Sequence, residues 1–271
     1  MESFILLRND YRKVSAEILF KNLKTLFFEL GLDYQEKSIK VENKFSPFFD
    51  NSYYLELLKA FLSIVEEGNK PVFCDSQSIL AYKNLFLKLQ NDGEFREAIF
   101  KALKKEIDIL ECEQKFVFLP EIVLEALGKT NKIARKWEGF TCAFVVDREL
   151  EQLAKDLHLS DRFSVLTGLK VRLFFKESYD YLLTCDKDLA FKMASNDYYE
   201  MVDSGVDFIT TPNLGEFYLL DSFHKAIKKS AGRDDAGIPV LLIPQVILAT
   251  FVGMDAKKLA FDKHNITPKM L

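Results

Sequence analysis

Cysteine is scarce in this chain and never clustered. The four present, Cys74, Cys112, Cys142 and Cys185, form no CxxC or CC pair, so neighbouring thiolates cannot assemble a zinc or iron–sulphur site. In a reducing compartment each reads most simply as a small buried hydrophobe. Histidine is equally thin: His158, His224 and His264 stand far apart, with no His or Cys at helical spacing, which argues against a three-histidine metal site. No GxGxxG, P-loop or GxSxG motif occurs, leaving nucleotide binding and acyl transfer without a starting point. There is no basic stripe either. The 37 Lys and Arg are spread along a chain of net charge −4, so nucleic acid is not an expected partner. The most apolar stretch, Ile238 to Met254, is interrupted by Pro239, Pro244 and Gln245 and falls short of the roughly 20 residues a membrane helix requires. It reads as a buried strand leading into a buried helix. The opening MESFILLRNDYRK has no positive region ahead of a long apolar run, and Phe4 to Leu7 reads as a first strand. The expectation is a cytoplasmic protein with no transmembrane segment.

What is present is an ordinary globular composition repeated twice. The 271 residues are 48% hydrophobic and 29% charged, with 25 phenylalanines, which excludes disorder and suffices for a core without disulfide or metal. FLPEIVLEALG (Phe118 to Gly128) parallels LIPQVILATFVG (Leu242 to Gly253), placing Pro120 against Pro244 at an offset of 124. The helix ends ELGL (Glu29 to Leu32) and DLHL (Asp156 to Leu159) match at 127, and the turns around Gly68 and Gly205 at 137. Ile18, Leu19, Leu23, Leu26, Phe27 and Leu30 fall at helical spacing, as do Tyr54, Leu57, Leu58, Phe61, Ile64 and Val65. Short apolar runs at Phe4 to Leu7, Thr141 to Val146, Lys170 to Phe175, Phe208 to Thr211 and Val240 to Ile243 alternate with helices, as in βαβ units around a parallel sheet. The fold class is therefore α/β, with two tandem duplicated units, each an open mainly parallel sheet flanked by helices. Each unit is expected to run strand, helix, helix, Gly turn, strand, helix, strand, helix. The units are residues 1–135 and 136–271, with the boundary near Lys132 to Gly139. Gly68 and Gly205 each end a helix just before a strand, where a left-handed residue favours glycine.

LAFKMA (Leu189 to Ala194), SGVDFITTP (Ser204 to Pro212), GIPVLLIPQVILATFVGM (Gly237 to Met254) and KKLAFDKHNI (Lys257 to Ile266), in that order, resemble the C-terminal part of the B-type, cysteine-rich (CCG-domain) subunit of heterodisulfide reductase. The first half follows the same pattern more weakly through ELGLDY, EEGNKPVFC, EFREAI and FLPEIVLEALG. The resemblance implies a cysteine-rich fold whose members hold iron–sulphur clusters on repeated CCG and CxxC motifs and relay electrons. This chain departs from the pattern at the ligands. Where the family has TPCxxC, Thr211 and Pro212 are followed by Asn213, Leu214, Gly215 and Glu216. The CCG step falls near Glu177, Ser178 and Tyr179. In the first unit only Cys74 stands at the strand end, with Gln77 where its partner would be. Cys142 lies near the family's first cysteine position, and Asp147 matches it more closely. A cluster needs several converging thiolates, so the expected cofactor is none and the chain is a degenerate member without intrinsic electron-transfer activity.

Open parallel sheets bind ligands beyond the carboxyl ends of their strands. The candidate cleft is therefore Cys74, Asp75, Ser76, Gln77, Asp147, Glu177, Ser178, Asn213 and Glu216; catalytic residues are not assignable. Asn213 with Glu216, and Asp75 with Ser78, also read as helix caps. Glu177, Asp180 and Asp186 read as solvated or first-turn charges before they read as acid/base pairs. Cys74 is the one thiol placed for a lowered pKa, against the simpler reading of a buried inert thiol. The leading functional expectation is a protein-interaction or assembly subunit, with a flavoprotein or reductase subunit as partner. The competing one is an enzyme or small-molecule binder that uses the polar cleft.

Overall fold

The computed structural model of the chain describes residues 4–41 and 51–269; the first three residues of the opening segment lie outside them. In chain order the first half carries β1 (Phe4–Asn9), α1 (Lys13–Leu30), β2 (Tyr34–Ile39), α2 (Asn51–Glu66), β3 (Lys70–Phe73), α3 (Ser76–Asn91), α4 (Gly93–Leu103), α5 (Ile109–Glu113), β4 (Val117–Phe118) and α6 (Leu119–Lys129). The second half carries β5 (Thr141–Asp147), α7 (Glu151–Asp156), α8 (Leu159–Thr167), β6 (Lys170–Lys176), α9 (Lys187–Asp203), β7 (Phe208–Thr211), α10 (Leu214–Ser222), α11 (His224–Ser230), β8 (Val240–Leu242) and α12 (Ile243–Leu248).

Two four-stranded sheets result, in the orders β2-β1-β3-β4 and β6-β5-β7-β8, with every pair parallel. Helical crossovers cover both faces of such sheets, and burial follows strand position. The inner strands β3, β5 and β7 are almost wholly buried and the edge strands β2 and β6 only partly so, while the short edge strand β8 is buried as well. Edge position explains why β2 was absent from the expected element order: YQEKSI carries polar residues on a strand that need not be apolar. In both units the chain passes from the first strand to one side of the sheet and later returns to the other. The topological switch point therefore lies between β1 and β3, and between β5 and β7.

The repeat is visible in backbone detail. Gly68 and Gly205 both adopt φ +77°, closing a helix ahead of β3 and β7. Gly31 ends α1 at φ +66°, and its repeat partner His158 takes the same left-handed region at φ +50°, a conformation that costs a non-glycine residue more.

Internal packing separates Met1–Tyr11 with Asp33–Leu119 from Arg12–Leu32 with Pro120–Leu271. Division at 135/136 parts the strands of the two sheets, but the packed units cut the chain elsewhere, because α1 and most of α6 belong with the second. The segment after α6 is tied to that unit as well. Ile133 bridges Phe251, Ala134 donates to the Thr250 carbonyl at 2.9 Å, and the Trp137 indole donates to the Val246 carbonyl at 3.0 Å.

Candidate functional site

The switch point of the second unit gathers five of the candidate residues. Asp147 ends β5 and stands in register with Lys176, the last residue of β6. Beyond β7, Asn213 has the extended backbone of an N-cap, and its side chain accepts the Glu216 backbone N–H at 2.9 Å, so one orphan amide of α10 is satisfied. The Asn213 amide group donates in turn to Asp147 Oδ1 at 2.7 Å. The capping box is only half made, because the Asn213 backbone N–H goes to Thr211 Oγ1 at 3.1 Å and not to Glu216. Released from that duty, the Glu216 carboxyl joins Asp147, Lys176, Glu177, Ser178 and Asn213 in lining a shallow, tightly packed recess.

Glu216 is 3% exposed, and its Oε2 has no hydrogen-bond partner among the described residues. Burial pushes its pKa well above the usual carboxylate range. The negative charges of Asp147, Asp197 and Asp180 push the same way, and the Ser178 hydroxyl opposes them. Burial and the neighbouring charges both favour the neutral acid form of Glu216 over the carboxylate. Burial works against the Lys176 ammonium, but Glu200 and Asp197 outweigh it and hold that pKa above its ordinary value; Asp197 Oδ1 lies 3.1 Å from the ammonium.

Behind the recess, Asp180 is buried and fully engaged. Arg12 donates through Nε to its Oδ2 at 3.0 Å and through a terminal nitrogen to its backbone carbonyl at 2.7 Å, and the Ser178 hydroxyl donates to its Oδ1 at 3.1 Å. The same carboxylate sits against the first turn of α10, where helix dipole and free amides favour negative charge. A Cβ on Gly215 would fall 2.4 Å from it, so only glycine leaves room for that approach.

The first unit repeats the arrangement with the two residue types exchanged. Strand register aligns Phe4 with Cys142 and Phe73 with Thr211, which sets Asn9 against Asp147, Asp75 against Asn213 and Ser78 against Glu216. Asp75 caps α3, accepting the Ser78 amide at 3.0 Å and its hydroxyl at 2.6 Å. Its own pKa is raised by burial, against the hydrogen bonds from Ser78. A strand-end Asn facing a capping Asp thus becomes, in the second unit, a strand-end Asp facing a capping Asn.

Gln77 stands in the first turn of α3 beside the fully buried Ser76. Cys74 is buried too, and its thiol is pushed well up, first by burial and then by the charge of Asp75. The lowered pKa considered for it is overturned: the dry, anionic surroundings outweigh the helix N-terminus. Cys142 is the second residue of β5, about 16 Å along the strand from the Asp147 end, and burial takes its thiol to about 12. Only Cys185 is exposed. A thiol titration of the native protein should therefore find one fast-reacting cysteine, with the others appearing on unfolding; two or more fast thiols would contradict the packing.

Asp186 caps α9, accepting the Leu189 amide at 2.9 Å, so it serves the helix and not the recess. Lys176 and Arg12 escaped sequence reasoning. Lys176 directly follows an apolar run and was available as a signal; Arg12 acts on a residue 168 positions away, and nothing local announces that. Of the histidines, His264 is buried near Gln245, with 2.9 Å between Nε2 and the amide nitrogen. Gln245 also accepts the Leu242 N–H and donates to the Leu259 carbonyl, which accounts structurally for the LIPQ and DKHN strings.

The donor set does not suit an iron–sulphur cluster. Oxygen groups and one lysine line the recess, where such a cluster requires thiolates. Among the described residues no group of three or more His, Cys, Asp or Glu side chains is arranged to hold a metal ion, and no helix is long and apolar enough to cross a membrane.

Two parallel sheets flanked by helices, each with polar side chains at its switch point, define a duplicated open-sheet α/β protein. Residues 179–265 match the HdrB-like C-terminal domain, so the similarity to that family is shown for this segment of the second unit. No curated protein sequence matches it. Among solved structures, a hypothetical protein from Helicobacter pylori is similar at TM-score 0.79 and 20% identity, with 100% of this chain and 53% of that one covered. That likeness concerns the fold, and this chain spans about half the length of that protein. An allantoin racemase from Pseudomonas fluorescens (TM-score 0.31, 11% identity, 100% and 94% covered) and a putative LacI-family repressor from Corynebacterium glutamicum (0.30, 11%, 89% and 76%) are far more distant.

Proposed function

We propose that this chain is a cluster-free HdrB-like protein that works by binding and not by electron transfer, with the recess of the second unit as its binding site. The observation that carries the proposal is Glu216, a buried carboxyl at the switch point whose Oε2 meets no partner and whose side chain lines the recess. Buried polar atoms are nearly always satisfied, so one left open where open sheets take their ligands marks a place for a guest. The first unit, in which Ser78 replaces the glutamate and bonds to Asp75, is the closed copy of a duplicated domain. A thermal-shift screen of small polar molecules tests the reading. A guest should raise the melting temperature of the wild type and leave Glu216→Gln unmoved; a guest stabilising both equally would locate binding elsewhere.

A second reading, an assembly subunit docking on a flavoprotein or reductase, is favoured by exposed apolar side chains of the second unit. Phe28 is 79% and Val252 77% exposed, and they adjoin in sequence Glu29, which is ion-paired to Lys132, and Phe251, which is bridged to Ile133. Stoichiometric recovery of one such partner from native cells, lost in a Phe28→Ser, Val252→Ser variant, would select this reading.

A further inference from the structure

We propose that the exposed face around residues 129–136 of the second unit docks an acidic partner protein, one that brings apolar side chains between its carboxylates. The inference rests on the docking reading given above to Phe28 and Val252, and names the chemistry of the partner.

Phe28, Val252 and Val165, at 79, 77 and 72% exposure, are the three most exposed large apolar side chains among the described residues. They come from α1, from the turn after α12 and from α8, yet all three belong to the second unit and border one strap. Lys132 of the strap pairs at 3.1 Å with Glu29, which follows Phe28. Ile133 bridges Phe251, which precedes Val252. Lys136 sets its Nζ 3.5 Å from the Val165 carbonyl, and its Cβ packs so closely on the end of α8 that a Cβ added at Gly168 would fall 2.7 Å from it. Apolar residues exposed singly need no explanation, but gathered along one feature and rimmed by polar groups they mark an interaction surface.

The strap is basic. KTNKIARK (Lys129 to Lys136) holds four cations and no acid, in a chain whose net charge is −4. Lys129 and Lys132 are ion-paired, with Glu125 and Glu29. Arg135 and Lys136 instead reach the backbone carbonyls of Ala249 and Val165. Lys21 and Lys258 do likewise, at the carbonyls of Lys257 and Gly253. A carbonyl occupies one N–H and cancels no charge, so four exposed cations are held in place by neutral acceptors with their charge uncompensated.

A partner that supplies carboxylates to those four heads and covers the three apolar side chains has the polar rim and apolar centre of an ordinary protein interface. A second copy of this chain does not fit, because a two-fold contact sets the same cations against each other. An anionic bilayer is the poorer match. It is negative throughout and would meet Glu29, Glu125 and Asp255 among the cations, and the apolar residues form no continuous stripe on one helix. A folded partner places its carboxylates only where cations wait.

Fluorescence anisotropy of a labelled amphipathic helix of leucine and glutamate, about five turns long, tests this with the full chain. Saturable binding is expected, weakening as salt rises, and about tenfold weaker both in Lys21→Glu, Lys136→Glu and in Phe28→Ser, Val252→Ser. Arg135 stays in place, because its bond to Ala249 ties the strap down. Both variants should melt with the wild type; where the apolar one melts early, Val165→Ser replaces it, and where the charge-reversed one does, Lys136→Glu alone. The same helix with lysine for glutamate should stay unbound. Equal binding of the lysine helix would overturn the acidic assignment and leave the apolar docking face. Equal binding of the glutamate helix by wild type and both variants would put the contact elsewhere and overturn the proposal. Sedimentation with vesicles of phosphatidylcholine and phosphatidylserine in equal parts, while the glutamate helix stays silent, would make this a lipid face and overturn protein docking as well. Silence from both helices and the vesicles overturns the acidic assignment, and recovery of a partner that depends on Phe28 and Val252 then decides whether the docking reading outlives it.

Discussion

Asn213→Asp should cost the second unit about 3 kcal/mol in a urea titration, and adding Asp147→Asn should return most of that loss. The cap is not what is lost, because Asp75 caps α3 in the first unit and aspartate serves as well as asparagine there. The substitution removes the amide that donates to Asp147 Oδ1 at 2.7 Å and sets two carboxyl groups against each other beside a third, Glu216. A lost buried hydrogen bond and two buried carboxyl groups set against each other carry penalties of this size together. The double variant recreates the first unit's order, with Asn at the strand end and Asp at the cap. If the double variant were no more stable than Asn213→Asp alone, the correspondence of Asn9 and Asp75 with Asp147 and Asn213 would have no energetic meaning.

Glu216→Gln should stabilise the protein, and increasingly so as pH rises. The folded-state pKa of Glu216 is raised above its unfolded value near 4.5. Below that value both states carry the proton and the group is neutral to stability differences. Above it the unfolded chain releases the proton while the folded chain retains it, so the folded state holds more protons and its stability falls with pH, by on the order of 1 kcal/mol per unit, up to the folded pKa. The glutamine variant has no such dependence. Melting curves of the two proteins should nearly coincide at pH 4 and separate toward pH 8, with the variant higher. Asp75 shares the direction of shift but is present in both proteins and cancels. A wild type more stable than the variant at pH 8 would mean that Glu216 is ionised and paired.

The architecture was legible because core strands and repeated turns write themselves locally. The apolar run Phe208 to Thr211 became β7, and the paired glycines at 68 and 205 took the same left-handed turn. β2 was not legible, since an edge strand needs no apolar run; β4, two residues long, was expected from the repeat and not from an apolar run of its own. At the site, aligning the missing cysteines led to Asp147, Glu177, Ser178, Asn213 and Glu216, which do converge. Cys74, Asp75 and Gln77 belong to the first unit's switch point and not to that recess. What sequence could not supply was the state of the groups. Glu216 had the spacing of a capping-box residue, and only the competing bond from Asn213 to Thr211 explains why its carboxyl is released. The Arg12 anchor on Asp180 is likewise a product of tertiary folding.

The switch points act here as hydrogen-bonding sites and not as thiolate sites, and the rest follows from that. Iron and acid-labile sulphide, counted per chain after purification without oxygen, test it most directly. A colourless protein with neither above background is expected; a brown protein carrying iron and sulphide in stoichiometric amounts would show that the switch points hold a cluster after all.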